Sequence, residues 1–301
     1  MMFNHLVNVT MNKTINLINI TDSTHNVNPD QEAPLSQFIG ISVGLFAIMG
    51  LLGNSLVLTV MSIAPSKRLP NYRFLITHLS TYDLISSMLL ILYTPLELHK
   101  HVWIYPEWFC PVLYPSITIA ANLATGTILI IALEHYLGIV KPHWNQLSKS
   151  KVAVGLFAVW IWATVSVLPN IMSLRLSTGD YIFCGEFWDG HESMQKLYGL
   201  SFFFIAFFIP LSAIAYLYGH IIHQLRKSGV VQYHSTLEGT LSHNALPRNP
   251  DTRHAIHVLS LMIISFAICV SPNKILFFVY DVAPSAWNSH THFYLRTIQV
   301  S

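Results

Sequence analysis

Charge is what this sequence has least of. Only 10% of its 301 residues are charged while 52% are hydrophobic, and no soluble domain of that size can be arranged from such a balance without an apolar shell facing water. The formal net charge of +2 gives no footprint for a polyanion, and no nucleic-acid motif occurs, so nucleic acid is not an expected partner. No His-Glu-x-x-His or Gly-x-Ser-x-Gly run is present, which removes the usual metal and serine hydrolase readings. No internal repeat is visible, which argues against a polytopic transporter built from matching halves. Met1 to Thr10 lacks a basic stretch followed by an apolar one, so the first membrane span must act as its own insertion signal.

What is present is a series of long apolar runs separated by short polar loops. Six run approximately from Phe38 to Ile63, Phe74 to Leu96, Phe109 to Leu133, Val152 to Leu174, Leu197 to Ile222 and Ala255 to Tyr280. Each has the roughly 20 residues that a helix needs to cross a hydrocarbon core about 30 Å thick. The expected fold is therefore an all-α membrane protein, an antiparallel helical bundle in the lipid bilayer. Basic residues collect in alternate loops: Lys67, Arg68 and Arg73 after the first span, Lys141, Lys149 and Lys151 after the third, Arg226, Lys227, Arg248 and Arg253 after the fifth. The positive-inside rule puts those loops in the cytoplasm and the N-terminus outside. Three glycosylation sequons, at Asn8, Asn12 and Asn19, all fall in the N-terminal tail, in agreement with that orientation. Residues 1–37 read as an extracellular glycosylated tail and residues 38–301 as the membrane bundle.

Three cysteines remain to be placed. Cys110, at the outer end of the third span, and Cys184, in the loop between spans four and five, both fall on the oxidising face. A disulfide between them would staple that loop over the mouth of the bundle; the alternative is two unrelated thiols. Cys269 lies within span six and reads as a small buried hydrophobe. Polar groups inside spans are costly, so they mark where function belongs: Asn54 in span one, Asp83 in span two. Trp160, Pro210 and Pro272 sit in spans four, five and six. A proline removes a backbone hydrogen bond and kinks its helix, and a kinked helix can pivot. His220 with His223, and His254 with His257, share helix faces at a spacing of three; interfacial side chains explain them better than a zinc clip, and no metal is expected.

These markers keep the order and spacing of rhodopsin-like G protein-coupled receptors, a family that the chain resembles from about Phe38 to Tyr280. Asn54 matches the asparagine of the first helix, Leu79 with Asp83 the motif of the second, and Trp108 followed by Cys110 the end of the first outer loop. Glu134-His135-Tyr136 stands where the family has an acidic-Arg-Tyr triplet, continued by Ile139-Val140-Lys141-Pro142. Trp160 and Pro169 match the fourth helix, Pro210 with Tyr218 the fifth, and Phe266 with Cys269 and Pro272 the sixth. The resemblance implies a seven-transmembrane bundle in the plasma membrane and a receptor without cofactor or catalytic residue. It implies a conformational switch through Asn54, Asp83, Pro210, Phe266 and Pro272, and contact with a heterotrimeric G protein through Glu134, His135, Tyr136 and Tyr218.

Within the family, the run Cys184-Gly185-Glu186-Phe187-Trp188 followed by Lys196 and Tyr198 is similar to neuropeptide receptors, whose second outer loop forms a hairpin. Where amine receptors place an aspartate, this chain has Ile117, which offers a buried cation no counter-ion. Glu186, Trp188 and Asp189 are instead placed to receive a basic or aromatic peptide end, with solvation of an outer loop as the bland alternative.

The departures are as informative. His135 replaces the triplet arginine and cannot make its permanent bidentate contact to a carboxylate. Val270 stands where the family has a large tryptophan, and Ala124 replaces a small hydroxyl residue near Asp83. The last residues, from His292 to Ser301, supply only the first turns of a seventh span, and no Asn-Pro-x-x-Tyr motif follows. The seventh helix is thus expected to be incomplete, through an incomplete gene model or a truncated isoform. The sequence reading is a receptor for an extracellular peptide, with a non-signalling decoy as its alternative.

Overall fold

The computed structural model describes residues 29–63, 70–99, 102–141, 147–178, 182–237 and 275. Within them, five helical stretches are long and apolar enough to cross a membrane: Gln37–Ile63, Asn71–Leu98, Glu107–Ile139, Lys149–Ser173 and Ser193–Gln224. They match the first five spans expected from hydropathy. Apart from residue 275, the sixth and seventh spans, with Phe266, Pro272 and Cys269, lie outside the described residues, as do Asn8, Asn12 and Asn19.

The first helix, α1 (Pro29–Ile63), begins before the apolar run does. Residues 29–37 belong to the same helix. Phe38, Leu45, Phe46, Leu52 and Leu56 are exposed along α1, as befits a face solvated by lipid. Its other face carries small residues that let α2 (Pro70–Leu98) approach. A Cβ added at Gly44 would lie 3.1 Å from Thr94, and one at Gly50 2.5 Å from Ser87. Close backbone approach at small residues is how helices associate where no water drives them together.

At the centre stands α3 (Cys110–Val140), entered through a 3-10 turn at Glu107–Phe109. Its 31 residues span about 46 Å at 1.5 Å per residue, so it reaches both ends of the bundle. Leu113, Leu123, Thr127, Ile131 and Ala132 along it are buried. Two apolar clusters flank it. The one at the disulfide end holds Tyr93, Leu96, Trp103, Leu113, Tyr114 and both bridged cysteines. The one at the opposite end holds Leu75, Leu79, Ile131, Leu156, Ile214, Tyr218 and Ile221.

The fourth span is broken into α4 (Lys149–Val165) and α5 (Leu168–Ser173). Pro169 is the cause, because it cannot donate to the carbonyl of Val165 and its ring crowds that turn. The chain then forms the expected hairpin, β1 (Leu174–Thr178) against β2 (Ile182–Glu186), antiparallel with Leu176 opposite Cys184. A tight turn follows, closed by the His191 amide on the Trp188 carbonyl at 2.7 Å. Its central residues, Asp189 and Gly190, have φ of 33° and 81°. Asp and Gly are the types that tolerate a positive φ in such a turn.

The fifth span comprises α6 (Glu192–Phe202), a π-helical turn at Phe203–Phe208 and α7 (Ile209–Leu237). The kink expected at Pro210 thus takes the form of a widened turn just ahead of it. With no N–H at position 210, the usual i to i−4 bond onto Ala206 cannot form, and the preceding turn opens instead.

Candidate ligand-binding and coupling sites

At the disulfide end, Cys110 of α3 is bonded to Cys184 of β2, with Cα atoms 5.7 Å apart. The hairpin is therefore tied to the central helix, and the Trp103 amide also donates to the Ile182 carbonyl at 2.7 Å. Of the expected contact residues, Glu186 and Trp188 are brought together. The Trp188 indole donates to Glu186 Oε2 at 3.1 Å, and the Asn170 amide of α5 donates to the other carboxylate oxygen. Burial pushes the Glu186 carboxyl up from the ordinary glutamate range, and the bonds from Trp188 and Asn170 oppose that rise. The Trp188 ring lies 5.7 Å from that of Tyr198 on α6, whose hydroxyl donates to the Ser166 carbonyl at the break of the fourth span, 3.2 Å away.

Asp189 and Ile117 are arranged differently from Glu186. Asp189 forms an exposed ion pair with Arg175 of β1 at 2.8 Å, so its charge is already balanced. Ile117 is half-buried on α3 against the cluster of Tyr93, Trp103 and Tyr114. Hydropathy reading missed Glu97, which is only 2% exposed and accepts a hydrogen bond from Tyr93 at 2.5 Å. The signal was available in the sequence: Tyr93 and Glu97 are four apart near the end of span two, on one helix face.

The mid-bundle residues Asn54 and Asp83 bond locally. Asn54 turns its amide onto the Gly50 carbonyl of its own helix at 3.0 Å. The Asp83 main-chain carbonyl accepts from Ser87 at 2.7 Å, and among the described residues no hydrogen bond links Asn54 to Asp83. Between α2 and α3 the bond is instead His78 Nδ1 to Thr127 Oγ1, 3.0 Å. Because the Thr127 hydroxyl donates to the Leu123 carbonyl at 2.7 Å, His78 must be the donor. Its other ring nitrogen is buried without a partner among the described residues. Trp160, half outside the bundle, packs edge-on against Tyr82, ring centroids 5.4 Å apart.

At the opposite end the triplet residues engage two elements, α2 and α7. Glu134 accepts from Asn71 of α2 at 3.0 Å. His135 lies 3.4 Å from the Tyr218 hydroxyl of α7 and stacks on Tyr72 of α2, centroids 6.2 Å apart. Tyr136 meets His220 edge-on at 6.1 Å. Asn71, which sequence reading passed over, sits at the start of α2 with nothing in its local pattern to mark it.

A helical multi-pass membrane protein with a disulfide-tied hairpin over one end and an acid-His-Tyr triplet at the other is a receptor architecture. The profile of the family described as 7 transmembrane receptor (rhodopsin family) matches residues 53–300, and the chain belongs to that family; it is a receptor and not an enzyme. It is 24% identical over 258 residues to an allatostatin-A receptor from Bombyx mori, covering 82% of this chain and 67% of the relative. To a neuropeptide Y receptor type 6 from Oryctolagus cuniculus it is 21% identical, with 80% and 66% covered. To a galanin receptor type 1 from Mus musculus it is 25% identical, with 70% and 64% covered. The chain spans about two thirds of the length of these relatives.

Proposed function

We propose that this chain is a plasma-membrane receptor for an extracellular peptide, with its N-terminus outside, that passes ligand binding to a heterotrimeric G protein. The observation that carries the reading is the acidic and aromatic group formed by Glu186 and Trp188, at the end of a hairpin fixed to α3 by the disulfide, with Tyr198 of α6 against them. An anchored hairpin presents these groups without the ordering cost that a free loop would incur on binding. The names of the relatives support it, since allatostatin-A, neuropeptide Y and galanin are peptides. Ile117 supports it by chemistry, because a monoamine seated on α3 would lack a counter-ion there.

Ligand binding would select a conformation in which the sixth span pivots at Pro272, with Phe266 part of the same switch, while the π turn before Pro210 lets α7 shift. Glu134, His135, Tyr136 and Tyr218 would then face the G protein, and Asn54 and Asp83 would adjust between the two ends. Basic loops after spans one, three and five support placing this end in the cytoplasm, and the sequons at Asn8, Asn12 and Asn19 support an exterior tail. The test is a cell line expressing the chain, screened with a peptide library and a monoamine panel for G protein dissociation. Response to a peptide that falls with Glu186→Gln or Trp188→Ala is the expected result; a monoamine response insensitive to both overturns the peptide reading. One observation favours a second reading, a receptor that binds without signalling: His135 meets the Tyr218 hydroxyl, and among the described residues it forms no ion pair. Peptide binding with no dissociation of any G protein class would select it.

A further inference from the structure

We propose that Asn71 is a positioning residue of the coupling face, holding the second inner loop and the acid of α3 to the start of α2 through one side-chain amide. Its Nδ2 group carries two protons and both are used: one goes to Glu134 Oε1 at 3.0 Å, the other to the Leu147 carbonyl at 2.6 Å. The partners are distant in sequence, so three separate segments converge on a single nitrogen. The bond to Glu134 is charge-assisted when that carboxylate is ionised, and hence the stronger kind.

Position 135 explains why this contact matters here. His135 is directed to Tyr218 of α7 and to the ring of Tyr72, which leaves the neighbouring carboxylate to be met from α2. Asn71 and Tyr72, adjacent on α2, thus grip Glu134 and His135, adjacent on α3. Because Leu147 directly precedes Ser148, whose side chain caps α4 by accepting from the Lys151 amide at 3.4 Å, the same nitrogen fixes where α4 begins. A partner that displaces Leu147 must first break the bond to its carbonyl, and one that moves α3 away from α2 the bond to Glu134. The consequence for signalling, a restraint on basal coupling, rests on the coupling role proposed above.

The experiment uses the full chain in lipid nanodiscs and reads hydrogen exchange across residues 147–156, together with thermal midpoint. Asn71→Leu keeps the volume and removes both donors. Loss of two such bonds is expected to speed exchange in that segment by about tenfold or more. Pairing Asn71→Asp with Glu134→Gln reverses the donor and acceptor between α2 and α3 but leaves the Leu147 carbonyl without its donor. This pair should recover the midpoint lost in Asn71→Asp alone, while exchange over 147–156 stays fast. Unchanged exchange in Asn71→Leu, or no recovery in the reversed pair, overturns the proposal. In cells without agonist, Asn71→Leu is expected to raise G protein dissociation severalfold. Absence of dissociation from every variant, with the exchange results as expected, leaves Asn71 in its role and removes the coupling role of that end.

Discussion

Residue by residue, the buried and half-buried carboxylates separate by what meets them. Glu186 has two neutral donors, Asn170 and Trp188, and burial holds its carboxyl above the ordinary value of 4.5. The sign follows from linkage: a group whose folded pKa exceeds the unfolded one favours the folded state more as pH falls, and that increment is lost as pH rises through the folded pKa. The thermal midpoint of the purified chain should therefore gain from acidification just above pH 4.5 relative to Glu186→Gln, which has no proton to bind. A parallel pH dependence in both proteins would contradict it. Glu97 is a different case, a fully enclosed carboxylate at the end of α2 that accepts from Tyr93. Removing that donor with Tyr93→Phe should cost about 1–3 kcal/mol, the range for depriving a buried polar group of a partner, read as a lower midpoint with surface topology unchanged. Glu134 is held from α2 by Asn71. Sequence position singled out Glu134 and Glu186 because their motifs are local, whereas Asn71 and Asn170 become partners only when distant helices meet.

The elements show two devices that fix helices to one another. The first is covalent. Reducing the Cys110–Cys184 bridge by Cys110→Ser, Cys184→Ser or both should cost about 2–5 kcal/mol, with the double variant no worse than either single one because a single bond is lost. Surface delivery and midpoint measured on the three variants would expose additive losses if the cysteines acted separately. The second device is close packing at glycine. A Cβ at Gly126 of α3 would run into the side chain of Val159 on α4, so Gly126→Leu should destabilise by about 1–3 kcal/mol as an overpacked contact. Adding Val159→Ala should return part of the loss, which a defect intrinsic to α3 would not permit. At Gly53 and Gly219 nothing lies within 4 Å of an added Cβ, and alanine there should be accepted in the same measurement. Breaks are as informative as contacts: Pro169 divides the fourth span and Pro210 is preceded by a π turn. Both prolines were legible in the sequence, but only packing decided that one ends a helix while the other widens a turn.

On the scale of the whole molecule, the orientation and the ligand class are the quantities to measure. An epitope at the N-terminus should be stained on intact cells, and Asn8→Gln, Asn12→Gln and Asn19→Gln together should abolish any glycosidase-sensitive mobility shift. Staining only after permeabilisation would invert the topology. The lipid-facing character of α1 and α4, with Phe38, Leu45, Val154 and Phe157 exposed, predicts that the chain aggregates when stripped of detergent or lipid, since those faces have no protein partner among the described residues.

What the sequence determined by itself is the class: spans, their number in the described region, their direction relative to the basic loops, and the family. These follow from properties that need no partner, because each membrane helix satisfies its own backbone and must be apolar along its whole length. The bridge between Cys110 and Cys184 was legible because both cysteines fall on the same face of the membrane, and the hairpin because the run from Cys184 to Trp188 is similar to receptors that carry one. The tertiary structure alone decided which polar groups meet. Asn54 bonds to its own helix, His78 reaches Thr127, and Asn71 gathers Glu134 with Leu147. A polar side chain in a bilayer must find some partner, but hydropathy is nearly the same around a membrane helix, so periodicity carries little record of which face turns inward. That rotation is set by glycines against bulky neighbours and by the bridge, and it fixes the hydrogen bonds on which this receptor's switching would depend.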